Sequence, residues 1–229
     1  MTMLGFDTST NATSVCVLRG DGQAFEQTPE PVRLLGRPGH SGELMPGVAK
    51  AMDDAGVGWD DVEAIAVGVG PGTFTGLRIG IATARALAHA RGIEVRPVSS
   101  LLALAEPLDH DRSRLPLIDA RRKEVFAALY RPDDADDWPP FVAAPEALAE
   151  RIGKAFPAAE KPFAAGDGSI KFRHILEAAG VEVPSDESDL HVVRALSICR
   201  LAQQGPATPP EAVLPDYLRE PDAQPQPLR

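Results

Sequence analysis

Three groups of residues in this chain have the types and spacing to do chemistry. The first is the run Gly68-Val69-Gly70-Pro71-Gly72-Thr73-Phe74-Thr75-Gly76-Leu77-Arg78. An apolar β-type segment, 64–69, enters it, and an Ala-rich helical segment, 77–91, leaves it. Strand, glycine turn, hydroxyl residues and helix start form the layout of an anion cradle, because free N–H groups and the positive helix end converge there. The same residues also fit a plain tight turn in which Thr73 or Thr75 caps the helix. The run lacks the Gly-Lys-Ser/Thr of a phosphate loop, and its glycine spacing differs from the dinucleotide fingerprint. The second group is His40-x-x-Glu43, a spacing that places two potential metal ligands on one helix face. A transition-metal site needs a third ligand, and His89, His110, His174 and His191 show no ligand spacing. The expectation is therefore no bound metal, with His40 and Ser41 ending a loop and capping a helix that Pro46 helps to start. The third group is Asp7 and Asp119, each ending an apolar strand. They fit either a phosphate–magnesium pair or the capping of the turns that follow, and the capping reading is preferred. No Gly-x-Ser-x-Gly elbow exists and nothing marks Cys16 as activated, so no catalytic residue is assigned.

These groups need elements to position them. Residues 4–7 read as a buried strand, 13–18 as a second, and Gly20-Asp21-Gly22 as a hairpin turn to a weaker third. Helical periodicity follows at Leu44, Val48, Ala51, Met52 and Ala55, with Gly56 as C-cap. After the glycine run and its helix, closed by Gly92, come a strand over 94–98 and a helix opened by Ser99. Residues 115–119 then end in Asp, turn, and enter a strand over 125–130. This repeats the opening of the first half and suggests two similar subdomains. Residues 133–140 read as a loop, 146–156, 169–179 and 190–203 as helices, and the chain from Gly205 as a proline-interrupted tail. Val213, Leu214, Tyr217 and Leu218 are the residues able to tie that tail down. The expected organisation is 1–108, 109–204 and the tail 205–229.

Composition narrows the classes. The 229 residues can bury a real core, and the charge is −10. No apolar run reaches the roughly 18 residues of a membrane span, and the N-terminus lacks a signal-peptide layout. Cys16 and Cys199, far apart in sequence, suggest buried reduced thiols and a cytoplasmic location. An acidic chain does not attract phosphate backbones, so any link to RNA should run through a partner. Arg121-Arg122-Lys123 is the compact basic cluster, read as a solvated turn. In the helix 77–91, Arg78, Ala82, Arg85 and His89 form one narrow stripe and nearly everything else is apolar or small. Such a helix is either enclosed in one core or packed between a sheet and a partner helix.

The glycine run, His40-Ser41-Gly42-Glu43-Leu44-Met45-Pro46 and Phe6-Asp7-Thr8-Ser9-Thr10 together resemble the TsaB family, from about Met3 to about Tyr130. The resemblance returns weakly at Pro215-Asp216-Tyr217-Leu218-Arg219. It implies an α/β fold of the actin/hexokinase/Hsp70-like type, with a mixed sheet flanked by helices in each half and phosphates held between two hairpin turns. On that pattern the nucleotide- or anion-binding candidates are Asp7, Thr8, Ser9, Gly70, Gly72, Thr73 and Asp119. No cofactor is firmly implied beyond ATP or ADP with magnesium at a shared complex. The catalytic paralogue, TsaD, holds metal through two histidines at i and i+4. Here His40 matches the first and Leu44 replaces the second. The implied role is a non-catalytic subunit supporting TsaD in transfer of a threonylcarbamoyl group to N6 of adenosine 37 of tRNAs reading ANN codons. The competing readings are an ATPase, a peptidase acting on the paralogue, or a free-standing nucleotide-binding regulator. The implied partners are a TsaD-like paralogue and a TsaE-like ATPase, with a homodimer when alone and tRNA reached through the complex. The expected partner surface is Leu44, Val48, Arg78, Ile81, Ala84, Arg85 and Ala88.

Overall fold

The computed structural model describes residues 1–132, 137–157 and 160–219. Two mixed sheets organise them. The first contains β1 (Met3–Asp7), β2 (Ser14–Leu18), β3 (Ala24–Gln27), β4 (Ala64–Gly70) and β5 (Glu94–Ser99), in the order β3-β2-β1-β4-β5. The second contains β6 (Arg114–Arg121), β7 (Glu124–Leu129), β8 (Trp138–Ala143) and β9 (Phe163–Ala165), in the order β8-β7-β6-β9. Each sheet is an antiparallel meander extended by a parallel strand beside its first strand. That shared plan matches the two subdomains expected from the repeated strand–Asp–turn–strand pattern.

Alternation within the strands sets the layers. Leu4 and Phe6 of β1 face α1 (His40–Ala55) and α2 (Phe74–Arg91). Met3 and Cys16 face a central layer built from α3 (Ser100–Ala105) and α7 (Ala195–Gln204). Ile118, Ala120, Phe126 and Ala128 close that layer from the second sheet. The outer face of the second sheet carries Leu115, Leu117, Val125 and Ala127 against α4 (Pro145–Ala155) and α6 (Arg173–Ala178), with the short α5 (Asp167–Lys171) at its end. The last long helix of the chain therefore packs on the first sheet, although it follows the second in sequence. Cys199 of α7 comes to rest over β2, its Sγ 3.9 Å from the Cys16 carbonyl oxygen. Contact with Cys16 and burial push the Cys199 thiol up, which makes it inert.

Several local expectations shift. α1 begins at His40 after Gly39, with no side-chain cap, and Pro46 lies inside it rather than near its start. α2 begins at Phe74, three residues earlier than its apolar pattern, because Thr73 is its first flanking residue. Gly56 and Gly92 close their helices in the left-handed region as expected. Of the loop expected over 133–140, residues 133–136 lie outside the described residues, and 138–140 open the edge strand β8. Pro139 and Pro140 are tolerated there because an edge strand need not donate outward and its pairing is irregular at that point. The expected helix 169–179 is broken at Phe172. That over 190–203 starts at Ala195, because Val193 is held extended by Ser14 Oγ and Glu26 of β3 accepts from Leu196 N at the helix start. The tail is tied down by Val213, which is buried, while Leu214 is exposed. Thr208 also pairs with Val95, and Asp216 N donates to Val69 O at 2.7 Å. Residues 220–229 lie outside the described residues. No helix is long and apolar enough to cross a membrane, among the described residues.

Candidate functional site

The glycine run and the first hairpin turn form one buried polar cluster. Asp7 leaves the end of β1 and accepts from Ser9 N at 2.8 Å, Ser9 Oγ at 2.6 Å and Ser100 Oγ at 2.7 Å. Burial, the largest influence, raises its carboxyl above the usual range, and these donors work against that rise. Thr8 Oγ1 donates to Gly76 O at 2.8 Å, so its hydroxyl is spent on the first turn of α2. Ser9 O accepts from Thr73 N at 2.7 Å. Thr73 stands at the helix entrance, but its side chain does not cap. Gly70 N donates to Ser100 Oγ at 3.2 Å. Asp7, Thr8, Ser9, Gly70, Gly72 and Thr73 are thus brought together, with Ser100 and Gly76 joining them. Ser100, at the start of α3, carried no signal in the sequence.

Three glycines of the run, at 70, 72 and 76, each have their own reason. Gly70 has φ +113°, a region that side chains resist. At Gly72 the constraint is space: a Cβ there would lie 2.5 Å from Ser9 O and 2.6 Å from Ser9 Cβ. Gly76 is crowded by Thr8 O, with Thr73 Oγ1 at 2.6 Å from such a Cβ. Neither Gly72 nor Gly76 needs positive φ. The run is built for close approach between the hairpin turn and the helix.

His40 and Glu43 converge on Thr13 rather than on an open site. His40 Nδ1 lies 2.8 Å from Thr13 Oγ1, and Thr13 Oγ1 donates to Glu43 Oε2 at 3.3 Å. Glu43 also pairs with Arg33. Burial lowers the pKa of His40, favouring the neutral ring, and its Nε2 is enclosed without a hydrogen-bond partner. Leu44, at the position of a second histidine, is in the core. Among the described residues no group of three His, Cys, Asp or Glu side chains could hold a metal ion. The metal of the paralogue does not fit these residues.

Asp119 belongs to the second hairpin. Its two oxygens accept from Lys171 Nζ, each at 2.8 Å, and Arg121 Nη1 and Arg121 N also reach it. Arg121 Nη2 continues to Asn11 Oδ1 at 2.5 Å, and Asn11 Nδ2 donates to Leu34 O and Gly36 O. One guanidinium therefore joins the two hairpin turns directly. Asp167, behind Asp119, accepts from Asp119 N at 2.9 Å, and burial pushes its carboxyl up to about 6. Asn11, Arg121, Lys171 and Asp167 were not singled out in sequence as site residues. Lys171 and Asp167 lie about 50 residues from Asp119, and no spacing rule joins them.

A hydroxyl–imidazole pair does occur, at Ser169 and His191, 3.3 Å apart. Both are fully buried, Ser169 Oγ donates to Gly166 O, and His191 is engaged by backbone carbonyls with no carboxylate orienting it. This is a packed core contact and not a hydrolytic site.

The outer face of α2 is the other candidate. Leu44, Val48, Ile81, Ala84 and Ala88, expected to face a partner, are buried in the chain's own core beneath the first sheet. Ala84 and Ala88 are 0% exposed. The expectation is corrected because one narrow apolar face is consumed by the sheet, and the solvent face begins one helical step away. That face carries Phe74, Arg78, Ala82, Ala86 and Ala90, with Arg85 at its margin. Phe74 is 42% exposed and stacks on Tyr217 of the tail, with ring centroids 5.5 Å apart. The Arg78 guanidinium lies 3.7 Å over Phe74 and donates to Tyr217 Oη at 3.1 Å. Beside them a hollow of about 450 Å³ is lined by Arg78, Ile81, Ala82, Arg85, Pro215 and Tyr217.

A fold of two such mixed sheets, with hairpin turns meeting between them, is that of the TsaD-like proteins. Residues 36–204 match the model of the TsaD family, described as tRNA N6-adenosine threonylcarbamoyltransferase. The Bacillus subtilis tRNA threonylcarbamoyladenosine biosynthesis protein TsaB is 30% identical over 240 residues, covering 98% of this chain and 96% of that protein. An uncharacterised Mycobacterium leprae protein is 40% identical over 129 residues, which span 56% of this chain but 35% of that relative. YeaZ from Pseudomonas aeruginosa superposes with a TM-score of 0.76 at 31% identity, covering 95% of this chain and 99% of that one. The chain belongs to the TsaB family.

Proposed function

We propose that this chain is a supporting subunit in the synthesis of threonylcarbamoyladenosine on tRNA, pairing with a TsaD-like protein that performs the transfer to N6 of adenosine 37. The carrying observation is the α2 face. It presents exposed Phe74 and Tyr217, Arg78 locked against both, and alanines at 82, 86 and 90 that permit close approach of a partner helix. The same face serves a homodimer when the partner is absent. Nucleotide, as ATP or ADP with magnesium, enters this reading only through the shared complex with a TsaE-like ATPase. Within this chain Asp7 and Asp119 are committed to holding their turns, which supports the capping role.

Ala86→Glu and Tyr217→Ala test the reading. Each should leave thermal unfolding near the parent, since neither side chain is in the core. Each should weaken co-elution with the TsaD-like partner at least tenfold, and threonylcarbamoyladenosine should fall in cells carrying only the variant. Folded variants that pair normally and sustain normal modification refute the proposed face.

A further inference from the structure

We propose that Arg78 and Arg85 of α2 form a clamp for a carboxylate carried by the TsaD-like partner, received in the hollow over Ala82. The inference rests on the supporting-subunit reading and names the chemistry by which that face selects its partner.

Charge is the first observation. The chain carries −10 overall, and Arg33, Arg96, Arg173 and Arg194 each pair with one of its carboxylates. On α2 itself Arg91 pairs with Asp60 at 3.5 Å. Among the described residues no carboxylate pairs with Arg78 or Arg85, and Arg78 engages the Phe74 ring and Tyr217 Oη instead. α2 contains no Asp or Glu. The tail beside it carries Glu211 and Asp216, both exposed, and neither forms an ion pair with the two arginines. An acidic chain that leaves two arginines unanswered on one helix stripe presents a local positive face, complementary to a carboxylate.

Geometry is the second. Arg78 and Arg85 stand two turns apart on one stripe, about 10 Å along the axis, with Ala82 between them. Both line the hollow of about 450 Å³, whose other walls are Ile81, Pro215 and Tyr217. Arg78 is already ordered, since its Nε donates to Tyr217 Oη at 3.1 Å and its guanidinium lies over Phe74. Its Nη nitrogens are left for a fork-shaped contact at little further cost in side-chain freedom. The Cα–Cβ bond of Arg85 tilts toward the helix N-terminus, the side on which Ala82 and the hollow lie. The apolar walls exclude water, which strengthens a pairing made between them. A run of tRNA phosphates suits this face less well, because Ala82, Ala86 and Ala90 shape it for a helix. A second copy of the chain also suits it less well, because its α2 would bring arginines and no acid.

The test is Arg85→Gln in the full chain, which keeps most of the stem and removes the charge. Its melting temperature should stay near the parent, since Arg85 is half-buried and holds no carboxylate of its own chain. Its affinity for the TsaD-like partner should fall about tenfold at low salt, and Arg85→Glu should cost about a hundredfold. Added salt should weaken pairing of the parent more steeply than pairing of Arg85→Gln. Arg78→Lys keeps the charge but not the fork, and gives a second reading should Arg85→Gln fold poorly, with an expected loss of about threefold. Changing each Asp and Glu of the partner's contacting helix to Lys in turn should yield one variant that restores pairing with Arg85→Glu. Unchanged affinity and salt dependence in Arg85→Gln overturn the clamp, and so does the lack of any restoring variant. If Ala86→Glu weakens pairing while Arg85→Gln does not, the face stands and the clamp alone fails. A parent chain that never pairs with the TsaD-like protein removes both. Loss of self-association or of tRNA binding, with pairing to the TsaD-like partner unchanged, assigns the arginines to a second copy or to RNA and equally overturns the proposal.

Discussion

Replacing Gly72 with alanine asks whether the glycine run is built for close approach. The backbone at Gly72 is not in the left-handed region, so alanine meets no conformational penalty there. Stiffening the unfolded chain would by itself stabilise by about 0.4–1 kcal/mol. The added methyl, however, would sit 2.5 Å from Ser9 O and 2.8 Å from Ser9 Cα, atoms that cannot swing away. Ser9 is fully buried and holds Asp7, and its carbonyl accepts from Thr73 N at the entrance of α2. Overpacking of this kind costs about 1–3 kcal/mol, and a stretched Thr73–Ser9 hydrogen bond adds about 1. The net destabilisation is about 2 kcal/mol, which lowers the melting temperature by about 4–8 °C in a chain of this size. Gly42→Ala is the control. It lies in α1 with nothing within 4 Å of a Cβ, and should gain about 1 kcal/mol from helix propensity. Thermal unfolding followed by circular dichroism reads both. A Gly72→Ala protein that melts at or above the parent refutes the close-approach argument.

Ala84→Glu and Ala88→Glu should unfold the chain or lower its stability by about 3–5 kcal/mol, because an unpaired carboxylate would enter the core beneath the first sheet. Far-UV circular dichroism decides it, and parent-like melting would show that these positions reach solvent. Asp167 has a carboxyl raised to about 6 by burial, so its charged form disfavours the folded state. Stability from this group is complete below the unfolded value near 3.8 and is lost as pH rises through about 6. Asp167→Asn should therefore stabilise at pH 7 by up to about 3 kcal/mol, with the gain vanishing below about pH 4. A gain independent of pH in denaturant titrations at pH 4 and 7 would refute that origin.

Sequence alone determined what depends on neighbours in the chain. The strand alternation of 13–18, the helical stripe of α1, the left-handed closures at Gly56 and Gly92 and the cap at Ser99 are local physics, and they stand. So did the repeated strand–Asp–turn–strand plan and the motifs that carry the family. Tertiary structure decided what depends on partners far along the chain. Glu26 caps α7 from about 170 residues away, and Lys171 and Arg121 neutralise Asp119 while Asn11 receives Arg121 across the two halves. The two faces of α2 were the hardest to read. A helix rich in alanine has little amphipathic contrast, so periodicity could not say which alanines the sheet consumes. Only packing against β4 placed Ala84 and Ala88 inside and left Ala82, Ala86 and the Phe74–Arg78–Tyr217 cluster outside.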